Sequence, residues 1–556
     1  MIISGVAEVL TLATVFPFLA VLINPKLIWE ISWLKSLLSF VGFSSNQDVI
    51  VPLTVVFIIS AILSCLIKTT TLWLNQRLSV SIGCDLSCKA YSFTLNRPYL
   101  KHTQQNSSKI IAIISQHVSD TVGVINQSLL LITGLIITFF IFVSLLFTNF
   151  NGAVFSGIIF GILYFTISKA TKKKLNMYSQ KRTHYKTKQI KSLQEGLGGI
   201  REVIMGSYQD SYVKMYREAD FPLRLFEAKS EFIAISPKYF VEAIGIVVIA
   251  LTSMILFYKS SNPNEVIPIM ATFALGAQKL IPAMQMSFSA FSTIKGNLFG
   301  VIQVLKIINQ PNYFYEKYSF PRKIDFRSFI KLKNIKFKYS EKSPIVINNI
   351  SLEIKKGERV GFIGKSGCGK STLLEIIMGL LTPTSGHFYV DNIEVNDKRN
   401  HQLIKQWRES ISYVPQNIYL SDATILENVA FGLPKEKINF ELVYDSLKKA
   451  KLLDFVNSKK NKYQTIVGER GIQLSGGQRQ RIGIARALYR QNKILAFDES
   501  TSSLDSQTEE DVMKTIEQLD KDLTILIIAH RLSTLKSCDR IIKIENGKVV
   551  DIKTKN

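Results

Sequence analysis

The residues with the clearest chemical potential are Gly364, Ser366, Gly367, Cys368, Gly369, Lys370, Ser371 and Thr372, within the run Gly-Lys-Ser-Gly-Cys-Gly-Lys-Ser-Thr. Glycines at this spacing let backbone N–H groups curl around phosphates, provided a strand delivers the loop and a helix follows it. An apolar strand at Arg359–Ile363 and a helix over Leu373–Met378 meet that condition. The positive end of the helix then faces the phosphates, Lys370 reaches the β and γ groups, and Ser371 ligates Mg²⁺. Alone, this loop specifies a nucleotide-binding protein and nothing narrower.

A second constellation lies more than a hundred residues downstream, where Ile494-Leu-Ala-Phe-Asp-Glu499 reads as a buried strand ending in two carboxylates. Asp498 is expected to hold Mg²⁺, and Glu499 to orient and activate an attacking water. A carboxylate pair alone is more often an exposed strand end. Beside a phosphate loop, catalysis is the better reading.

A third element, Leu474-Ser-Gly-Gly-Gln478 preceded by Thr465-Ile-Val-Gly-Glu-Arg-Gly471, narrows the family. With the phosphate loop it resembles the ATP-binding cassette (ABC) superfamily, over the stretch from about Ser328 onward. The resemblance implies that Tyr339 stacks on adenine, that Gln416 senses Mg²⁺ and the membrane domain, that Asp505 lies in a loop crossing a dimer, and that His530 contacts the γ phosphate. It further implies ATP sandwiched between Lys370 of one cassette and Ser475, Gly476, Gly477 and Gln478 of another. Each element is intact, so two identical chains would make two competent sites, and a homodimer of half-transporters is the expectation. A heterodimer stays open.

The elements that must position this chemistry fall in two environments. At 556 residues the chain exceeds one compact domain. Its net charge of +25, from 68 Lys and Arg against 43 Asp and Glu, would suggest nucleic acid in a soluble protein. Here the basic residues flank apolar runs, as Lys172, Lys173 and Lys174 do, which is the pattern of a cytoplasmic membrane face. No aromatic-basic platform or zinc spacing accompanies the charge, so nucleic acid is not an expected partner. The five cysteines form no paired framework, and Cys368 sits in a loop that faces reducing cytosol. Cys84 and Cys88, one turn apart, read as a helix face rather than a metal site.

Between Asp120 and Lys169 no charged residue occurs, which is room for two spans of about 20 residues each, with Asn149–Gly152 as the turn. Four further spans are expected near Ile2–Asn24, Val51–Trp73, Val241–Tyr258 and Val266–Phe291. Met1 precedes apolar residues without a basic leader or cleavage pattern, so a retained first span is expected rather than a signal peptide. The basic segments 76–120 and 170–235 are then cytoplasmic, as are both termini, in an inner or plasma membrane. Helices are expected to run on into the cytosol and turn back near Arg97–His102 and Gly206–Met215, where they could dock on the ATPase. The fold class is thus an all-α six-helix transmembrane domain over residues 1–310, followed by an α/β P-loop ATPase over 328–556.

A fused membrane domain and one hydrolytic set per chain favour export or flipping over import. Glu8, Phe16-Pro17-Phe18, an amphipathic outer segment at 27–43, and Lys279 ahead of Pro282 are similar to bacterial flippases for lipid-linked oligosaccharides. On that resemblance Lys279 attracts a pyrophosphate headgroup. Equally, Lys279 pairs with Glu8 or Glu242 as a structural bridge. Lipid, multidrug and peptide exporters are the rival readings, and a soluble ABC ATPase acting on nucleic acid is disfavoured by the uncharged stretch.

Overall fold

The computed structural model describes residues 2–7, 10, 11, 14, 18, 50–148, 150–259, 263–309, 323–397, 401–499, 506–529 and 535–554. They divide into two compact units. The first comprises Met1–Asn96 and Gln105–Asn312; the second comprises Arg97–Gln104 and Tyr313–Asn556.

Among the described residues the first unit is built of helices and holds no strand. Its long members are α1 (Ile50–Leu95), α2 (Val118–Thr148, entered through Ser107–Ala112 and a π-helical turn at Ile113–His117), α3 (Phe150–Gly198), α4 (Gln209–Ile235), α5 (Pro237–Lys259) and α6 (Pro263–Ile308). Among the described residues, four helices are long and apolar enough to cross a membrane: Leu53–Leu95, Ser107–Leu146, Ala153–Gly198 and Gly276–Ile308. The expected first span and the segment 27–43 fall largely or wholly outside the described residues, as does Glu8. Of the turn expected at Asn149–Gly152, Asn149 lies outside the described residues, and Phe150–Gly152 already belong to α3.

A helix of 46 residues such as α1 is about 69 Å long, against roughly 30 Å of hydrocarbon, so much of it must lie in water. In their polar lengths the helices are tied by charge. Lys186 of α3 donates to both carboxylate oxygens of Asp120 on α2, at 3.0 and 2.9 Å. Arg182, one turn earlier, donates to Glu227 of α4 at 3.2 Å and to the Asn297 side chain of α6 at 2.7 Å. These partly buried pairs specify which helices face one another, since a mismatch would strand a charge. Toward the apolar end, Ile141, Leu145, Phe160, Val241, Leu280 and Ile281 form a packed cluster.

The second unit holds two sheets. β1 (Phe329–Phe337), β2 (Ile347–Lys355), β3 (Arg359–Ile363), α7 (Lys370–Ile377), β4 (Ser385–Val390), β5 (Ile393–Glu394), α8 (His401–Glu409), β6 (Ile411–Val414), α9 (Ile425–Val429), α10 (Phe440–Lys449), α11 (Gly476–Tyr489), β7 (Ile494–Asp498), α12 (Ser506–Glu517), β8 (Thr524–Ile528), β9 (Arg540–Glu545) and β10 (Lys548–Thr554) follow in chain order. The smaller sheet is antiparallel, ordered β2-β1-β4-β5; the larger is ordered β10-β9-β3-β8-β7-β6 and is parallel from β9 to β6. β7 and β8 are buried along nearly their whole length, as a parallel sheet covered on both faces requires. Trp407 of α8 is fully buried, and its indole N–H donates to the Ile377 carbonyl at the end of α7 at 2.6 Å, fixing the helix that carries the phosphate loop.

Candidate nucleotide site

In an open parallel sheet, loops at the carboxyl ends of the strands form the crevice where ligands bind. β3 ends in the glycine loop, β7 in Asp498, and β6 just before Gln416, so the topology gathers all three at one edge.

The loop's glycines are required by its shape. Gly364 has φ of 155°, and a Cβ there would lie 2.2 Å from the Ile544 carbonyl oxygen. Gly369, with φ of 105°, is the left-handed residue that starts α7, and a Cβ there would meet Ile347 at 2.9 Å. At Gly367 a Cβ would meet nothing within 4 Å, so that side of the loop is open. No side chain caps α7, so the amides of its first turn remain directed at the loop. Lys370, 5% exposed, folds over the loop and donates to the Gly364 and Lys365 carbonyls at 2.9 and 3.1 Å. Cys368 is a buried free thiol beneath it.

Ser371 and Asp498 meet across the sheet, with the Ser371 hydroxyl donating to Oδ1 at 3.2 Å. Tyr413 of β6 donates to Oδ2 at 3.4 Å. Burial pushes the Asp498 carboxyl above its ordinary pKa, with the Ser371 hydrogen bond opposing the shift. Burial likewise raises Glu375 of α7 and Tyr413. The Ser371, Asp498 and Gln416 set is made of oxygen donors, which fits Mg²⁺ in both hardness and charge.

Glu499 diverges from its neighbour because the strand stops at Asp498 and Glu499 takes φ of 43°, an uncommon left-handed conformation for a non-glycine residue. Its amide donates to the Ile528 carbonyl at 3.1 Å, and its Oε2 accepts from Gln416 Nε2 at 2.9 Å. The two carboxylates therefore address different partners: Asp498 the phosphate loop, Glu499 the loop after β6.

Tyr339 lies beyond β1 with its hydroxyl 3.0 Å from the Thr372 hydroxyl and its ring edge-on to Phe337. Ser475 starts α11 in a capping box, its hydroxyl accepting from the Gln478 amide at 3.3 Å and its own amide donating to Gln478 Oε1 at 3.0 Å. Ser475 and Gly476 are exposed, and among the described residues Ser475 and Gln478 bond to each other rather than to the glycine loop. The structure thus groups Gly364–Thr372, Gln416, Asp498 and Glu499 in one place and leaves Ser475 and Gly476 exposed, with Gly477 buried. Asp505 and His530 lie outside the described residues. Lys279 is half-buried on α6, while Glu242 pairs with Lys238 at 3.8 Å.

Several contributors escape a reading of motifs. Tyr413 and Glu375 carry no signature beyond adjacency to Gln416 and to the loop. Arg486 of α11 donates to the Asn428 and Tyr419 carbonyls, both at 2.9 Å, which anchors α11 to α9 and to the loop after Gln416; burial lowers its pKa to about 10. Arg97–Gln104, though far away in sequence, belongs to this unit. Gln104 donates to the Tyr339 carbonyl at 2.8 Å, Leu100 packs on the core, and burial together with Glu375 raises the Tyr99 hydroxyl.

The fold and site define a P-loop ATPase whose carboxylates stand at the end of a parallel sheet. More narrowly, residues 347–502 match the ABC transporter family, so this segment is an ABC transporter ATPase domain, with the ATP-binding and ATP-hydrolysing chemistry of that class. Its sequence is similar to the leukotoxin translocation ATP-binding protein LktB of Mannheimia haemolytica, at 39% identity over 256 residues, and of Mannheimia glucosida, at 40% over 253. Each match covers 45% of this chain and only 34% of the relative, so the chain matches about a third of those proteins' length. A solved structure titled as a bacterial Atm1-family ABC exporter with ATP bound superposes with a TM-score of 0.82, covering 99% of this chain and 95% of that one at 21% identity. The whole chain therefore has the fold of that exporter: a helical domain followed by an α/β P-loop domain.

Proposed function

We propose that the chain is an ATP-driven exporter that works as a dimer, most economically of identical chains, in a cytoplasmic membrane with the ATPase on the cytosolic side. The observation that carries this reading is the split of the anion-binding groups: a complete phosphate loop with its carboxylates inside one unit, and a second helix start at Ser475 directed outward. Two such chains facing each other would supply each nucleotide with Lys370 from one and Ser475, Gly476, Gly477 and Gln478 from the other. Tyr339 would then take the adenine, and Asp505 and His530 would complete the shared face.

Mg²⁺ held by Ser371, Asp498 and Gln416 would neutralise charge on the phosphates. Glu499, held by Gln416, would orient the attacking water and accept its proton. ATP favours the closed pair, and hydrolysis restores the open one, so access alternates by population shift. Arg97–Gln104, bonded to Tyr339 at one end and continuing into α1 at the other, would carry that closure to the spans.

The cargo reading retained from the sequence is a lipid-linked saccharide, with Lys279 and Glu8 in the cavity. A second reading is favoured by the cassette's similarity to leukotoxin translocation proteins: export of a polypeptide. The deciding experiment is ATPase activity of the full chain in nanodiscs against polyprenyl-pyrophosphate saccharides, lipids, hydrophobic drugs and unfolded polypeptide. Stimulation by the saccharide class that weakens in Lys279→Ala supports the first reading. Stimulation by polypeptide alone replaces it, and activity no higher than that of Glu499→Gln would overturn the motor itself.

A further inference from the structure

Helix α3 carries a contrast among its cations. Arg182 pairs with Glu227, Lys186 with Asp120, and Lys191 with Glu195, which is the only acidic residue between Phe150 and Gly198. Lys181 lies over the Phe226 ring at 5.0 Å. Nearer the apolar end of the helix, Lys169, Lys172 and Lys173 are exposed. Nothing among the described residues pairs with them.

Their place on the helix is specific. At about 100° per residue, Lys169, Lys172 and Lys173 fall within an arc of about 100° that also holds Phe155, Ile158, Ile162 and Phe165. Those four are 49%, 56%, 60% and 68% exposed, so this arc is the helix's outward apolar face. One continuous stripe thus changes from bare hydrocarbon to bare ammonium groups between Phe165 and Lys169, over about 6 Å of helix rise. An apolar stripe ending in cations matches a bilayer leaflet, in which acyl chains give way to phosphates over a similar depth.

We infer that Lys169, Lys172 and Lys173 form a binding site for the phosphate of an anionic phospholipid in the adjoining leaflet, with the lipid's chains lying along Phe165, Ile162 and Ile158. The site rests on the reading of α3 as a membrane span. Each lysine near an anionic surface contributes about fivefold in affinity. Lys188, exposed on the same helix but about 22 Å beyond Lys173, lies outside the roughly 10 Å reach of such a surface.

The test uses the full chain purified in detergent and offered equal amounts of phosphatidylglycerol and phosphatidylcholine, with retained lipid read by native mass spectrometry. Wild type is expected to retain phosphatidylglycerol in at least about tenfold preference. K169Q/K172Q/K173Q should lose most of that preference, whereas K169R/K172R/K173R and K188Q should keep it. Thermal melting of each variant separates loss of the site from loss of the fold. Equal preference in wild type and the triple glutamine variant overturns the inference, as does an equal loss in K188Q, which would reduce the effect to overall charge. If the glutamine variant instead dissociates into single chains in lipid-free detergent, the face belongs to a second copy and the lipid site is refuted. A chain that stays dispersed without detergent would fail the membrane reading itself, a different result from an embedded chain without lipid preference.

Discussion

The ATPase unit contains two helix starts rich in glycine, at Lys370 and at Gly476, and they are built differently. α7 begins after a left-handed Gly369 with no side chain across its first turn, and it is buried beside Lys370 and Asp498. α11 begins with Ser475 and Gln478 closing a capping box on each other, and Ser475 and Gly476 are exposed while Gly477 is buried. Both ends carry the partial positive charge of a helix N-terminus. Only the first is surrounded by the groups that hydrolysis needs. A helix start is therefore not a phosphate site by virtue of its dipole alone; on the proposed reading the first is a catalytic half-site and the second a rigid donor for a neighbouring chain.

The strongest way to break this comparison is to disable hydrolysis at the first start while leaving binding intact. Glu499→Gln is expected to lower turnover by about 10² to 10⁴-fold with ATP affinity nearly unchanged, measured as steady-state ATPase beside equilibrium nucleotide binding. A parallel loss of binding would mean that Glu499 holds the fold of the loop after β7 rather than the water. Next in size, Lys370→Ala removes a charge-assisted contact and should weaken ATP binding by about 10 to 150-fold.

Ser475→Ala sharpens the distinction between the two starts. It should lower ATPase activity and ATP-induced dimerisation, read by light scattering with Glu499→Gln as background, while monomeric ATP affinity stays within about twofold; loss of the cap itself costs about 1 kcal/mol of stability. If monomer affinity fell as far as in Lys370→Ala, the two starts would serve one nucleotide within one chain. The smallest effect is expected at a cap that belongs to neither start. Thr424 starts α9, with Glu427 closing its capping box. Thr424→Ala should destabilise the unit by about 1 kcal/mol with little change in ATP affinity, measured by chemical denaturation. Backbone and side-chain hydrogen bonds from Thr424 lower the Glu427 carboxyl to about 2. Because the folded value lies below the unfolded one, the stabilisation is present above about 4.5 and fades as the pH falls toward about 2. In Thr424→Ala that acid-side loss should shrink.

Much of the fold was legible because its signals are local. Uncharged length announced the long apolar helices, and Gly364, Gly367 and Gly369 announced the loop through backbone shapes that other residues resist. The turn expected near Arg97–His102 is a short helix at Tyr99–Thr103, and the return near Gly206–Met215 is the turn at Gly206–Tyr208. The expected strand Ile494–Glu499 ends one residue sooner, since backbone pairing gives no hint that Glu499 must turn away. Nor does local pattern show Tyr413 on Asp498 or Gln104 on the Tyr339 carbonyl.

The sequence by itself determined the classes of chemistry and where each starts, because glycine conformations, helix-start residues and apolar length act within a few positions of the chain. Only the tertiary structure decided which groups share a site. Ser371 and Asp498 are 127 residues apart and meet because β8 sets β3 and β7 two strands apart in register. Ser475, with an equally suggestive motif, is turned outward by the packing of α11 through Arg486. Convergence depends on strand order and helix packing, which are fixed by contacts across the whole unit and not by any one stretch of residues.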